Sequence, residues 1–401
     1  MKRKISFLLA MILVLSTFSS FALAEDSVPV SAEAEVIKAE GKVMELSIDE
    51  AVKLAIESDR GMWKIDDGIK QMQEARKAGS SAKEQAETLM SLPLDVVSSM
   101  EIDITNNYVD TLLAKNGYYI KYADTQMKQL EKSRGLLIKG IEIGTKSLYY
   151  NVLLAEKSIE INNAKLNKAN EQLRVVNLKF NNGSATKAEI LNAEMAVQQA
   201  KTDLDSANDN LSISKLDLLN KLDLPFDSEI VLTDTELKYV PTADVDLDAA
   251  ITKAKAERPE ILAAENALEL QKIKTHAYTA YYTSNLRQNK AAKEELKDAE
   301  LNVPQAYKDV ELDVRNTYLN LVKAERALVN MDKTVELSKE AARINKLLYE
   351  NGMATSLDVL EADTNLAEAE IGRYQLLVAY NLSKLAFDNS NLIGNLSSAA
   401  E

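Results

Sequence analysis

From Leu148 to Phe180 the seam positions fall alternately four and three residues apart without a slip, and the pattern resumes from Ile190 to Leu218. Four or more sustained heptads commit a chain to long helices packed along a seam, and a strict seven-residue repeat imposes a left-handed supercoil. The punctuation agrees. The chain has only 12 glycines and 6 prolines, with no proline between Pro93 and Pro225 or after Pro304. A proline inside a helix would break it, so these gaps leave room for uninterrupted helices. Many seam positions, among them Ala155, Asn162, Ala169, Ala193 and Ala200, are small or polar. Such residues bury little area each and suit a many-helix assembly better than an isolated zipper.

The pattern occurs twice. Residues 149–216 align with 318–385 at an offset of 169, with 17 of 68 positions identical and no gap. The clearest match sets Asn182-Gly183-Ser184-Ala185-Thr186 against Asn351-Gly352-Met353-Ala354-Thr355. Upstream, Leu46 to Ala51 echoes Val245 to Ala250, each opening a helix with an acidic first turn. This is one large unit duplicated, with about 30 extra residues in the first copy, and not a 20–50-residue solenoid repeat. In each copy glycine stands just past the last periodic residue, where a left-handed helix cap requires it: Gly183 and Gly352. Thr186 and Thr355 follow as N-caps, with Glu189 and Asp358 three residues on in capping-box position. The spacing predicts a helical hairpin with a tight tip in each half.

Residues 1–24 read as a signal peptide: Lys2-Arg3-Lys4, an apolar core from Ile5 to Leu15, and Ala22-Leu23-Ala24 before Glu25. The alternative reading is an N-terminal membrane anchor, for which the apolar core is short. Cleavage removes three positive charges from a net −14 and leaves the mature chain at −17. No basic surplus exists to displace phosphate counterions, which excludes a nucleic-acid partner. With no cysteine the chain has no thiolate metal sites or cysteine nucleophiles, and a single histidine, His276, argues against a His-based metal cage or a Ser-His-Asp triad. No cofactor, metal or catalytic site is expected, and the chain reads as a non-enzyme. His276 is expected on the surface, and Trp63 is expected as a packing residue of the first long helix.

In the order and spacing of these features the chain resembles the TolC-like outer-membrane efflux proteins. The marks are the duplication, the signal peptide, the opening helix Leu46-Ser47-Ile48-Asp49-Glu50-Ala51, Glu257-Arg258-Pro259-Glu260-Ile261 at the start of the second half, and the aromatic-x-x-Gly-x-x-Thr tips followed by an acidic residue. The resemblance implies a homotrimer whose long helices build a hollow periplasmic tunnel below an outer-membrane barrel. It implies partnership with a periplasmic adaptor and an inner-membrane pump. In that picture the tips form the tunnel entrance. Tyr349 matches the tip aromatic, and Glu189, Asp358 and Glu361 match acidic positions around the entrance. Repeated threefold, Asp358 and Glu361 would make a negative ring; acids at a helix start also serve simply as caps.

Two departures qualify the expectation. The windows where the family places barrel strands, Leu94–Tyr122 and His276–Leu312, hold little alternation beyond Met100 to Thr105, and the segment Gln288 to Lys297 is polar and helix-forming. Tyr118, Tyr119, Tyr122, Tyr278, Tyr281 and Tyr282 read as a remnant aromatic girdle or as half-buried packing residues. Met353-Ala354 also stands where some members place a gating arginine. The expected fold is all-α, of long antiparallel hairpins internally duplicated, with the barrel strands missing or reduced. The expected organisation is a signal peptide (1–24), a loose segment (25–45), a first repeat (46–240), a second repeat (241–388) and a polar tail (389–401). The short run Ile230-Val231-Leu232 between the halves is β-like and in search of a partner. The expected function is a subunit of a trimeric efflux duct of the cell envelope. The alternative is a non-conducting coiled-coil structural or tethering protein.

Overall fold

Two helices of 64 residues each dominate the computed structural model, the first free of proline as expected and the second running through Pro304 without ending there; the structure describes residues 44–93, 96–97, 104–242, 245–392 and 394. The signal peptide, most of the loose segment and Met100–Asp103 of the strand-like run lie outside the described residues. In chain order the elements are β1 (Met44–Leu46), α1 (Ile48–Glu57), α2 (Arg60–Ser91), α3 (Ile104–Lys115), α4 (Tyr118–Asn181), α5 (Lys187–Lys221), β2 (Ile230–Leu232), α6 (Leu247–Glu257), α7 (Pro259–Tyr281), α8 (Arg287–Glu350) and α9 (Ser356–Asp388). The fold is all-α with a single two-stranded sheet among the described residues. The second barrel window is helix, carried by α7 and α8, and the described part of the first belongs largely to α3 and α4. The residues therefore follow their local helix propensity there. No helix among the described residues is long and apolar enough to cross a membrane.

The chain divides into two compact units. The described residues of the first lie within 70–126 and 269–296, and those of the second within 41–69, 127–268 and 297–401. In the second unit the heptad seam is where the helices meet. Val152, Ala155, Asn162, Ala169 and Val176 on α4 are buried, as are Ile190, Ala193, Val197, Ala200 and Ala207 on α5. Phe180, the last position of the first series, is 40% exposed. Matching Glu-x-x-Arg pairs recur outside the seam: Arg174 grips Glu171, and Arg343 grips Glu340, each through two N–H···O bonds.

The link between the repeats is ordered by its own pairing. Ile230-Val231-Leu232 lies parallel to Met44-Glu45-Leu46 in register. Ile230 and Leu232 face inward while Val231 faces out, the alternation a half-buried strand requires. Met44 and Glu45, the last residues of the segment expected to be loose, thus belong to a strand. Asp234 Oδ2 then accepts the Ile48 N–H at 2.8 Å, joining the link to the start of α1. The Tyr149 hydroxyl, fully buried, donates to Leu46 O at 2.9 Å and accepts the Asp234 N–H at 3.1 Å. Further along the link, Tyr239 and Thr242 both donate to the Glu325 carboxylate on α8. The expected polar tail is also partly packed: Ser390 and Asn391 are buried, and Asn391 donates to Glu257.

One residue stands differently from its sequence reading. Trp63 is 70% exposed on α2, so it does not pack within this chain. Of the tyrosines, Tyr118, Tyr119, Tyr278 and Tyr282 pack, partly buried, against Val109, Leu113 and Ala277 in the first unit.

Candidate functional site at the hairpin tips

α4 ends because its last turn is closed by a left-handed glycine. Gly183, at φ 75°, donates to Phe180 O at 2.9 Å, and Ser184 donates to Lys179 O at 2.7 Å. α8 ends in the same way. Gly352, at φ 73°, donates to Tyr349 O at 3.1 Å, and Met353 donates to Leu348 O at 2.8 Å. This pair of bonds is the Schellman arrangement, which satisfies carbonyls that a helix end would otherwise leave unpaired.

The return helices start on reciprocal caps. Thr186 Oγ1 accepts the Glu189 N–H at 3.2 Å while the Glu189 carboxylate accepts the Thr186 N–H at 2.6 Å. Thr355 Oγ1 accepts the Asp358 N–H at 3.3 Å and Asp358 accepts the Thr355 N–H at 2.7 Å. The Thr355 hydroxyl also donates to Asp358 Oδ2 at 2.7 Å, and this bond, followed by the one from the Thr355 backbone N–H, holds the Asp358 carboxyl below its usual range. The third acid, Glu361, is exposed one turn further along α9, and Asp358 is exposed beside it.

The two tips touch. Lys179 Nζ lies 3.5 Å from the Tyr349 ring centroid and donates to the Tyr349 carbonyl at 3.3 Å. The ring is buried, with 7% exposure, so the cation sits on an aromatic face and on the carbonyl-rich end of α8 together. Higher up, Lys168 pairs with Asp363 at 2.7 Å, and Leu360 of α9 packs among Ala169, Val197 and Ala200 of the first hairpin. Lys179, Lys168 and Leu360 were not legible as site residues, because their partners lie 160 to 195 positions away in sequence and no local pattern marks them. The structure places Gly183, Thr186, Glu189, Tyr349, Gly352 and Thr355 at the two turns or within a helical turn of them. Asp358 and Glu361 follow on the return helix.

His276 is exposed, its Nδ1 3.3 Å from the Asn116 amide. Among the described residues no group of three His, Cys, Asp or Glu side chains is arranged to hold a metal ion.

No protein-family model matches the sequence, and no curated protein resembles it in sequence. The fold, in contrast, matches solved structures over nearly the whole chain. The CusC transmembrane channel is similar at TM-score 0.65 and 12% identity, covering 93% of this chain and 99% of that one. The Campylobacter jejuni CmeC outer membrane channel is similar at TM-score 0.61 and 12% identity, with 93% of each chain covered. The Vibrio cholerae outer membrane protein VceC gives TM-score 0.58 and 14% identity, over 86% of this chain and 96% of that one. The chain has the TolC-like fold of outer-membrane efflux channels.

Proposed function

We propose that the chain is the repeating subunit of a homotrimeric efflux or export duct in the cell envelope, exported by its signal peptide. The observation that carries this reading is the fold itself, shared over 86–93% of the chain with outer-membrane channels, together with two hairpin tips joined at Lys179 and Tyr349. A second apolar stripe supports assembly. Leu312, Leu319, Leu337 and Ile344 on α8 are 43–69% exposed, and pairs of them are seven residues apart. A helix with apolar residues on an outer face at heptad spacing seeks a further helix. In the trimer Asp358 and Glu361 repeat threefold as a negative ring at the entrance, favouring cationic cargo. An adaptor and an inner-membrane pump would dock at the same end.

The competing reading, a coiled-coil tether that conducts nothing, draws on the helices that occupy the windows of the barrel strands. The absence of cysteine makes the test clean. A single Asp358→Cys in the mature protein, treated with a short bismaleimide, is expected to give a covalent pair within a particle of trimer mass. Uncross-linked monomer of monomer mass at micromolar concentration would overturn the duct.

A further inference from the structure

Charge is unevenly placed along this chain. The whole sequence stands at −14, yet the stretches 70–126 and 269–296 together carry 11 Lys and Arg against 11 Asp and Glu. Within 269–296 the basic residues lead five to three. Three of them, Arg287, Lys290 and Lys293, stand exposed in the first two turns of α8 and make no ion pair among the described residues. Beside them lies a cavity of about 340 Å³ lined by Lys274, Tyr278, Arg287, Gln288 and Glu295. Lys274 neutralises Glu295 at 2.8 Å, so the Arg287 charge in that cavity is unanswered.

The first unit concentrates tyrosines. Tyr281 lies 5.1 Å from Tyr108 and 4.8 Å from Tyr282, Tyr282 lies 5.8 Å from Tyr278, and Tyr118 lies 5.5 Å from Tyr119. The hydroxyls of Tyr118, Tyr119, Tyr278 and Tyr282 have no partner among the described residues, and none is sealed from water. Rings packed together with wet hydroxyls are suited to a boundary between an apolar layer and water. Rings that cover one another are poor platforms for stacking a sugar, which argues against a glycan ligand.

We propose that this end of the first unit is a membrane-surface site, in which the α7–α8 cavity takes the phosphate of an anionic phospholipid headgroup. Arg287 and the Gln288 amide face the phosphate, Lys290 and Lys293 face neighbouring headgroups, and the tyrosine cluster lies at headgroup level. The attachment is peripheral, and it stands whether or not the assembly conducts. An acidic body would be repelled by such a surface, so the cations are placed where the chain is neutral.

The test is flotation of the mature full chain with vesicles of phosphatidylcholine alone and of phosphatidylcholine and phosphatidylglycerol in equal parts. Binding to the anionic vesicles only, weakened by added salt, is expected. The combined Arg287→Gln, Lys290→Gln, Lys293→Gln variant should bind on the order of a hundredfold more weakly, the factor three surface cations supply. Its unchanged circular dichroism and oligomeric mass would show that it folds. Equal binding to both vesicles, no binding to either, or an unaffected triple variant would overturn the proposal. Displacement by millimolar inorganic phosphate would also overturn it, by assigning the cavity to a soluble anion. Sedimentation with insoluble acidic wall polymer in place of vesicles would overturn it in favour of a glycan.

Discussion

Tyr149 and Tyr318 occupy equivalent positions in the two repeats, yet the structure assigns them different work, and removing each hydroxyl separates the two roles. Tyr149 is fully buried, and its hydroxyl joins Leu46 O to the Asp234 N–H across 103 and 85 residues of sequence. In Tyr149→Phe the Leu46 carbonyl keeps the Thr233 N–H at 3.0 Å, but the Asp234 N–H loses its acceptor. Asp234 is exposed and the bond part-buried, so its loss costs about 0.5–1.5 kcal/mol. Tyr318 packs its ring on Phe387, with centroids 5.8 Å apart, and its hydroxyl bonds nothing among the described residues. Tyr318→Phe should therefore stay within about 0.5 kcal/mol of the parent. The assay is thermal unfolding followed by circular dichroism at one fixed protomer concentration, because assembly shifts apparent stability. At roughly 2–4 °C per kcal/mol for a cooperative block of 150–250 residues, Tyr149→Phe should lower Tm by a few degrees and Tyr318→Phe by at most about one. Equal losses in the two variants would refute the reasoning, since it rests on the Asp234 N–H alone.

Gly352→Ala should destabilise the second hairpin by about 1–2 kcal/mol through its positive φ alone, because a Cβ there meets nothing within 4 Å; Gly352→Asn should cost less, and denaturant midpoints compare the two. The Thr355 hydroxyl and backbone N–H hold the Asp358 carboxyl below its usual range in the fold, so its contribution is fully present above the ordinary carboxylate pKa and is lost as pH falls through the lowered one. Hydrogen exchange at residues 355–360 should accelerate across that acid window, and Asp358→Asn should abolish the pH dependence. Leu321→Ala, at a fully buried position of α8, should cost about 2–5 kcal/mol, read from the same unfolding curves. Lys179→Gln removes a cation–π contact worth about 0.5–1 kcal/mol and should raise exchange at Gly352 and Met353 with little change in Tm.

The helices and their ends were legible because their causes are local. The heptad series from Leu148 and Ile190, the glycines at 183 and 352, and the Thr-x-x-acid pattern each act within a few residues. The Ser47–Glu50 capping box at the start of α1 carries the same Ser-x-x-Glu signal and could have been read in the same way. The long-range features were not legible. Ile230–Leu232 looked like a strand, but its partner at Met44–Leu46 lies nearly two hundred residues upstream. Lys179 is indistinguishable in sequence from any solvated lysine until Tyr349 is brought beneath it. Trp63 shows the opposite failure, since an aromatic in a helix reads as core until the face it occupies is known.

The most direct test is single-particle electron microscopy of the mature protein in detergent. The account predicts a threefold particle whose long hairpins enclose a continuous water-filled lumen, with Asp358 and Glu361 ringing one end. A monomer, or a bundle whose centre is filled by side chains along its length, would contradict it.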